Sequence, residues 1–133
     1  MVKALFDTNI LIDYLSGVGA AKKELARYEY RAVSIVTWME VLVGTTANDE
    51  AAIRTWLSSF EVIALNSSIA SRAVEIRKQR RIRLPDAIVW ASADVNSLLL
   101  VSRNTKDFPA DEPGVRVPYK VWKPGYRNPG VEA

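Results

Sequence analysis

Histidine and cysteine are both missing from the 133 residues of this chain. Without histidine there is no Ser-His-Asp or Cys-His catalysis, no HExxH zinc site and no imidazole acid or base. Without cysteine there is no disulfide frame and no thiolate metal site, which makes the cytoplasm the expected location. Zinc prefers nitrogen and sulfur, whereas oxygen ligands suit magnesium or manganese. The chain also lacks any apolar run of the roughly 18–20 residues needed to cross a bilayer. Met1 leads directly into a strand-like run, so no secretory leader is expected. No phosphate-binding glycine loop or dinucleotide fingerprint occurs, which argues against nucleotide-cofactor chemistry. A net charge of +3 is a mild bias, compatible with an anionic partner without requiring one.

What is present reads as one α/β domain over residues 1–122, followed by a tail at residues 123–133. Five β-rich runs stand out: Val2–Phe6, Arg31–Ile35, Glu61–Leu65, Leu98–Ser102 and Val115–Tyr119. Helical stripes separate them. Val18, Ala21, Leu25 and Tyr28 form one, Ile53, Trp56, Leu57 and Phe60 a second, and Ile69, Ala73 and Ile76 a third. Asn48 and Ser67 are the expected N-caps of the last two. Strands alternating with helices predict a mostly parallel five-stranded sheet covered on both faces. The tail, with its prolines and glycines and little to bury, is expected to be poorly ordered.

Four acids interrupt or close apolar runs: Asp7 after Val2–Phe6, Glu40 within Val36–Val43, Asp86 within Leu84–Ala93, and Asp107 just after Leu98–Ser102. A carboxylate driven toward a core costs several kcal/mol unless it is paired or holds a metal. Carboxylates drawn to one sheet edge repel one another and resist ionising until a cation arrives. Asp7 ends a strand that should be central, and ligands in open parallel sheets collect beyond the carboxyl ends of strands. Taken alone, Asp7 would be an ordinary helix N-cap. Glu40 is the only charge in a helix apolar nearly all round, which predicts a buried helix; the competing reading is a narrow exposed stripe. Asp86 follows Pro85 and has Val89, Trp90 and Ala93 on its helical face, more apolar surroundings than a first-turn acid needs for the helix dipole. Asp107, in a loop, is weak evidence alone and gains weight from sharing an edge with Asp7. Ser102 and Asn104 are expected to support it. Asp49, Glu50, Asp111 and Glu112 read as surface acids and Asp94 as part of a polar stripe with Ser92; Asp13 could approach the site, but a helix-surface role is favoured.

Arg77, Lys78, Arg80, Arg81 and Arg83 form a basic run leading to Asp86. It reads either as a contact for a phosphate backbone or as a solvated helix end favoured by the dipole. Trp38, Trp56 and Trp90 are expected in the core or a dimer interface, with Trp122 the exposed one.

Four blocks in order, Asp7-Thr8-Asn9, Glu40 followed by Gly44, Leu84-Pro85-Asp86-Ala87-Ile88, and Arg103-Asn104-Thr105-Lys106-Asp107-Phe108, resemble the PIN-domain nucleases, above all the VapC-type toxins of toxin–antitoxin pairs. The resemblance implies a three-layer α/β/α sandwich and endonucleolytic cleavage of RNA dependent on magnesium or manganese. It implies that Asp7 and Asp86, completed by Glu40 and Asp107, hold the metal, with Thr8 and Asn104 orienting substrate. It further implies 5′-phosphate and 3′-hydroxyl products, a homodimer, and a cognate antitoxin that silences it. The family more often has Thr where this chain has Ser102, which keeps the hydroxyl. A cation can acidify water enough for attack near neutral pH, so the missing histidine is no obstacle.

Two other classes compete. A phosphotransfer domain with a nucleophilic Asp normally carries a second Asp two positions on, where this chain has Asn9. A catalytically silent RNA- or protein-binding module on the same scaffold is disfavoured by retention of all four acids.

Overall fold

A computed structural model describes residues 1–120; Trp122 and the tail expectation at residues 123–133 lie outside the described residues. The elements run β1 (Ala4–Phe6), α1 (Thr8–Leu15), α2 (Gly19–Ala26), β2 (Arg31–Ser34), α3 (Ile35–Val43), α4 (Glu50–Leu57), β3 (Glu61–Ile63), α5 (Ser67–Arg80), α6 (Leu84–Val95), β4 (Leu99–Val101) and β5 (Val115–Arg116). All five strands are parallel, in the order β3-β2-β1-β4-β5. Each predicted strand is found, but shorter. The last ends at Arg116 rather than Tyr119.

Side chains alternate across the sheet as period two demands. Leu5, Ala32 and Leu100 face the helix pair α5 and α6, joined by Ile69, Ala73, Ile76, Val89 and Phe108. Ala4, Phe6, Val33 and Val101 face the other way, against Ile10, Leu11, Leu25, Val41 and Leu57 from α1 to α4. The result is the three-layer sandwich. Complete burial of side chains such as Phe6, Leu5 and Phe108 contributes roughly 1.5–3 kcal/mol each.

The chain winds β1, β2, β3 outward in one direction, then returns through α5 and α6 to place β4 on the opposite side of β1. The reversal between β1 and β4 is where a crevice opens beyond the strands' carboxyl ends. Asp7 directly follows β1 and Ser102 directly follows β4, so topology alone sets them side by side.

Local details correct several expectations. The N-caps are Asp49 and Asn66, each one residue from Asn48 and Ser67; the Asn66 side chain accepts from the Ile69 N–H. α3 is only half buried. Thr37 and Val41 face inward, but Met39 is 48% and Val43 85% exposed, so its apolar sequence does not make it a core helix. α5 ends at Arg81, which adopts the left-handed conformation (φ 56°) usually left to glycine at that position.

Candidate active site

The four acids come from four places: the start of α1, the exposed face of α3, the first turn of α6 and the turn after β4. Asp7 is 5% exposed and is the N-cap of α1. One of its oxygens accepts from the Thr8 N–H at 2.8 Å. The other accepts from the Ser102 hydroxyl at 2.8 Å and the Asn9 amide at 3.2 Å. Helix capping therefore uses one oxygen of the carboxylate and leaves the other to Ser102 and Asn9. Burial nevertheless pushes its pKa above the ordinary value, against those hydrogen bonds, with Glu40 and Asp107 adding repulsion.

Glu40 is solvent-exposed, as the narrow-stripe reading had it, yet tethered. Thr8 donates to Glu40 at 2.6 Å, and its hydroxyl lies 3.0 Å from that of Thr37, which is fully buried under α3. A hydroxyl has one proton, so Thr37 donates to Thr8 and Thr8 to Glu40. Thr37 went unrecognised in the sequence because a lone Thr in an apolar helix carries no distinguishing pattern.

Asp86 stands in the first turn of α6 with Pro85 beside it, and its helical neighbours Val89, Trp90 and Ala93 are buried as expected. Its pKa is raised to about 6, first by burial, then by a hydrogen bond with Asp107 and by the charge of Asp7. A hydrogen bond between two carboxyls requires that one of them hold a proton. Arg83 opposes the shift from a distance of 3.4 Å. Asn104 fixes Asp107 at both ends: its amide donates to the carboxylate at 3.3 Å and its carbonyl accepts the Asp107 N–H at 3.3 Å.

All four predicted acids thus reach the same end of the sheet, linked by repulsion or by shared hydroxyls. Among the described residues, however, no group of three or more acids is already drawn into a metal-holding arrangement. The donor set still fits a hard divalent cation: every side chain offered is a carboxylate or a neutral oxygen, and negative charge is in excess. Mutual repulsion keeps such acids spread until a cation compensates it.

The basic run divides. Arg80 is committed to Glu112 and to the face of Trp90, and Arg83 to Asp86. Arg77, Lys78 and Arg81 are exposed and, among the described residues, form no ion pair. Of the tryptophans, Trp90 packs edge-on against Phe108 in the core, while Trp56 stacks on Tyr14 and Trp38 lies under Arg54, both half-buried.

Two of the sequence assignments fail on burial. Asp13 is not a surface acid: it is 6% exposed and grips Arg103 through both oxygens. Ser92 does not share a polar stripe with Asp94; it is buried, donating to the Ile88 carbonyl, while Asp94 pairs with Arg72 outside. A third buried acid, Glu24, drew no attention in the sequence. It holds Arg116 through both oxygens and accepts from the Tyr28 hydroxyl.

A doubly wound parallel sheet thus brings Asp7, Glu40, Asp86 and Asp107 to one switch point, an excess of carboxylates at the place where ligands of such sheets bind. The chain belongs to the PIN-domain family, whose model matches residues 4–110. It is 34% identical over 131 residues to Ribonuclease VapC10 of Mycobacterium tuberculosis, spanning 92% of this chain and 96% of that protein. Among solved structures, a toxin–antitoxin complex from Klebsiella pneumoniae contains a chain 45% identical, with a TM-score of 0.85 over 90% of this chain and 100% of that one. The DNA-bound VapBC structure from Salmonella typhimurium shares the fold at 21% identity, with a TM-score of 0.73 over 87% of this chain and 96% of that one.

Proposed function

We propose that the chain is a metal-dependent endoribonuclease and the toxin of a toxin–antitoxin pair. The convergence of four acids with too few cations at the β1/β4 switch point carries this reading. The VapC10 relative, named a ribonuclease, and the Klebsiella pneumoniae toxin–antitoxin complex support the substrate and the partner. The family resemblance extends the proposal to a cytoplasmic homodimer silenced by a cognate antitoxin.

Asp7, Asp86, Glu40 and Asp107 would hold magnesium or manganese. When bound, the cation supplies an activated water and neutralises charge on the scissile phosphate. The chain's residues prepare that chemistry. Ser102 and Asn9 keep one Asp7 oxygen aimed into the cup. Thr37 and Thr8 orient Glu40, and Asn104 orients Asp107. Asp86, its pKa raised by burial and by its acidic neighbours, ionises more readily when positive charge enters.

Arg77 and Lys78 lie exposed in the last turn of α5 and Arg81 is its C-cap, and we assign all three to the RNA backbone. Replacing all three by Gln should weaken RNA binding about equally for unrelated sequences and reduce the slope of log K against log salt by about 2. An unchanged slope contradicts the assignment.

One observation favours the catalytically silent RNA- or protein-binding module: the acids are not already gathered around a metal position. Incubating the purified chain with a mixed RNA pool, in magnesium and then in excess chelator, separates the two readings. Cleavage that disappears with chelator and in the Asp7→Asn variant supports the nuclease. Binding without cleavage at any magnesium or manganese concentration supports the silent module.

A further inference from the structure

We infer that Arg103 is a positioning residue for the acidic site, acting through the buried carboxylate of Asp13; the inference deepens the nuclease reading and rests on it. Arg103 sits in the turn after β4, between Ser102 and Asn104, and both of those neighbours hold acids of the cup. Ser102 donates to Asp7 and Asn104 to Asp107. The Asn104 N–H also donates to the Ser102 hydroxyl oxygen at 3.0 Å, so the turn behaves as one unit.

Something must fix that turn against α1, and the guanidinium does so. Arg103 Nε donates to Asp13 Oδ2 at 2.6 Å and Nη2 to Asp13 Oδ1 at 3.0 Å, a two-pronged pair. Tyr119 adds its hydroxyl to Asp13 Oδ2 at 2.9 Å, and burial, helped by that bond, pushes the phenol's pKa upward. The Arg103 backbone N–H reaches the Asn9 side-chain carbonyl at 3.4 Å. The Asn9 amide in turn donates to Asp7 and, at 3.2 Å, to Ser102. An unbroken chain of contacts therefore runs from Tyr119 through Asp13, Arg103 and Asn9 to Asp7, and through Ser102 and Asn104 to Asp107.

The placement also decides the residue type. A planar fork matched to one carboxylate fixes direction as well as distance, which a lysine ammonium on a flexible stem does not. Asp13 cancels the charge of Arg103 locally, so the clamp orders the turn without neutralising the excess negative charge of the cup. Arg103 forms no hydrogen bond through its side chain to any of the four site acids, and this sets it apart from a catalytic group.

The experiment compares wild type with Arg103→Lys, Asp13→Asn and the neutral pair Asp13→Asn/Arg103→Gln. RNA cleavage and calorimetric Mn2+ affinity are both measured well below the lowest melting temperature of the set. Groups that orient metal ligands from behind typically change affinity or activity by about 10–100-fold. Accordingly, Arg103→Lys should lose about 10–100-fold in kcat with KM within about threefold, and weaken Mn2+ binding by a similar factor. The double variant should be little worse than either single one, since both remove the same clamp. Variants that melt lower but retain kcat and Mn2+ affinity within about twofold of wild type would overturn the inference and leave the pair merely structural. If wild type binds Mn2+ but cuts no RNA, the nuclease reading falls, while the Mn2+ comparison still decides the role of Arg103.

Discussion

At pH 7 without divalent cation, the Asp86→Asn protein should melt roughly 3–8 °C above wild type, while its RNA cleavage in magnesium falls about 1,000-fold. The opposite signs share one cause. In the folded chain Asp86 is desolvated, bonded to Asp107 and repelled by Asp7, which raises its pKa from 3.8 to about 6. The folded state therefore binds this proton more tightly than the unfolded state does. Its contribution to stability is fully present below about pH 3.8 and is lost as pH rises through about 6. Asp7, raised by burial, acts in the same direction. Asparagine removes the Asp86 part of the dependence and, after allowance for solvent screening, should return roughly 1–2 kcal/mol at pH 7. The same substitution removes a carboxylate on which the proposed cation site depends. A metal-free melting curve measured from pH 5 to pH 8 should fall more steeply for wild type than for Asp86→Asn. Parallel curves would mean that the Asp86 carboxylate is not under strain, and loss of cleavage would then need another explanation.

Replacing Arg116 with Met should destabilise the fold by about 3 kcal/mol, measured by urea unfolding. Glu24 is 4% exposed, and Arg116 supplies both of its charge-assisted bonds at 2.7 and 3.0 Å. Burial acts to raise the Glu24 pKa, but the bonds from Arg116 and Tyr28 outweigh it and the net shift is downward. A depressed acid contributes stability at neutral pH that is lost as pH falls below its ordinary value of 4.5. The sign is opposite to that of Asp86, so the metal-free protein should be most stable between those two titrations. Without Arg116, Glu24 is left as a buried charge with only Tyr28 and the more distant Arg27 to answer it. Adding Glu24→Gln to Arg116→Met should recover much of the loss. A single variant as stable as wild type would show that the pair contributes nothing net to holding β5 against α2.

The sequence disclosed the strands and the four acids for the same physical reason. Short apolar runs alternate with helical stripes, and a carboxylate beside such a run is conspicuous. Strand order was not legible, because nothing local in Leu99–Val101 says that it pairs with β1 rather than β3. Cap positions slipped by one where polar residues are adjacent: Asn66 and Ser67 can both cap, and packing of the following turn chooses between them. Asp13 and Glu24 were misread or missed because their partners, Arg103 and Arg116, lie 90 and 92 residues away. A buried ion pair announces itself only when both members are known to meet. The apolar sequence of α3 misled in the other direction, since Met39 and Val43 are exposed despite their hydrophobicity. Apolar composition reports what an element could bury, and only the tertiary arrangement decides which side is covered.

Calorimetric titration of Mn2+ into the metal-free protein at pH 6, run in parallel on wild type, Asp7→Asn and Asp86→Asn, addresses the cation cup itself. Wild type should show saturable binding with release of roughly half a proton, because Asp86 is about half protonated there. Each variant should bind at least about tenfold more weakly, and Asp86→Asn should release less proton than wild type. Equal affinity in all three proteins, or no saturable binding by wild type, would contradict a cation site built from these carboxylates.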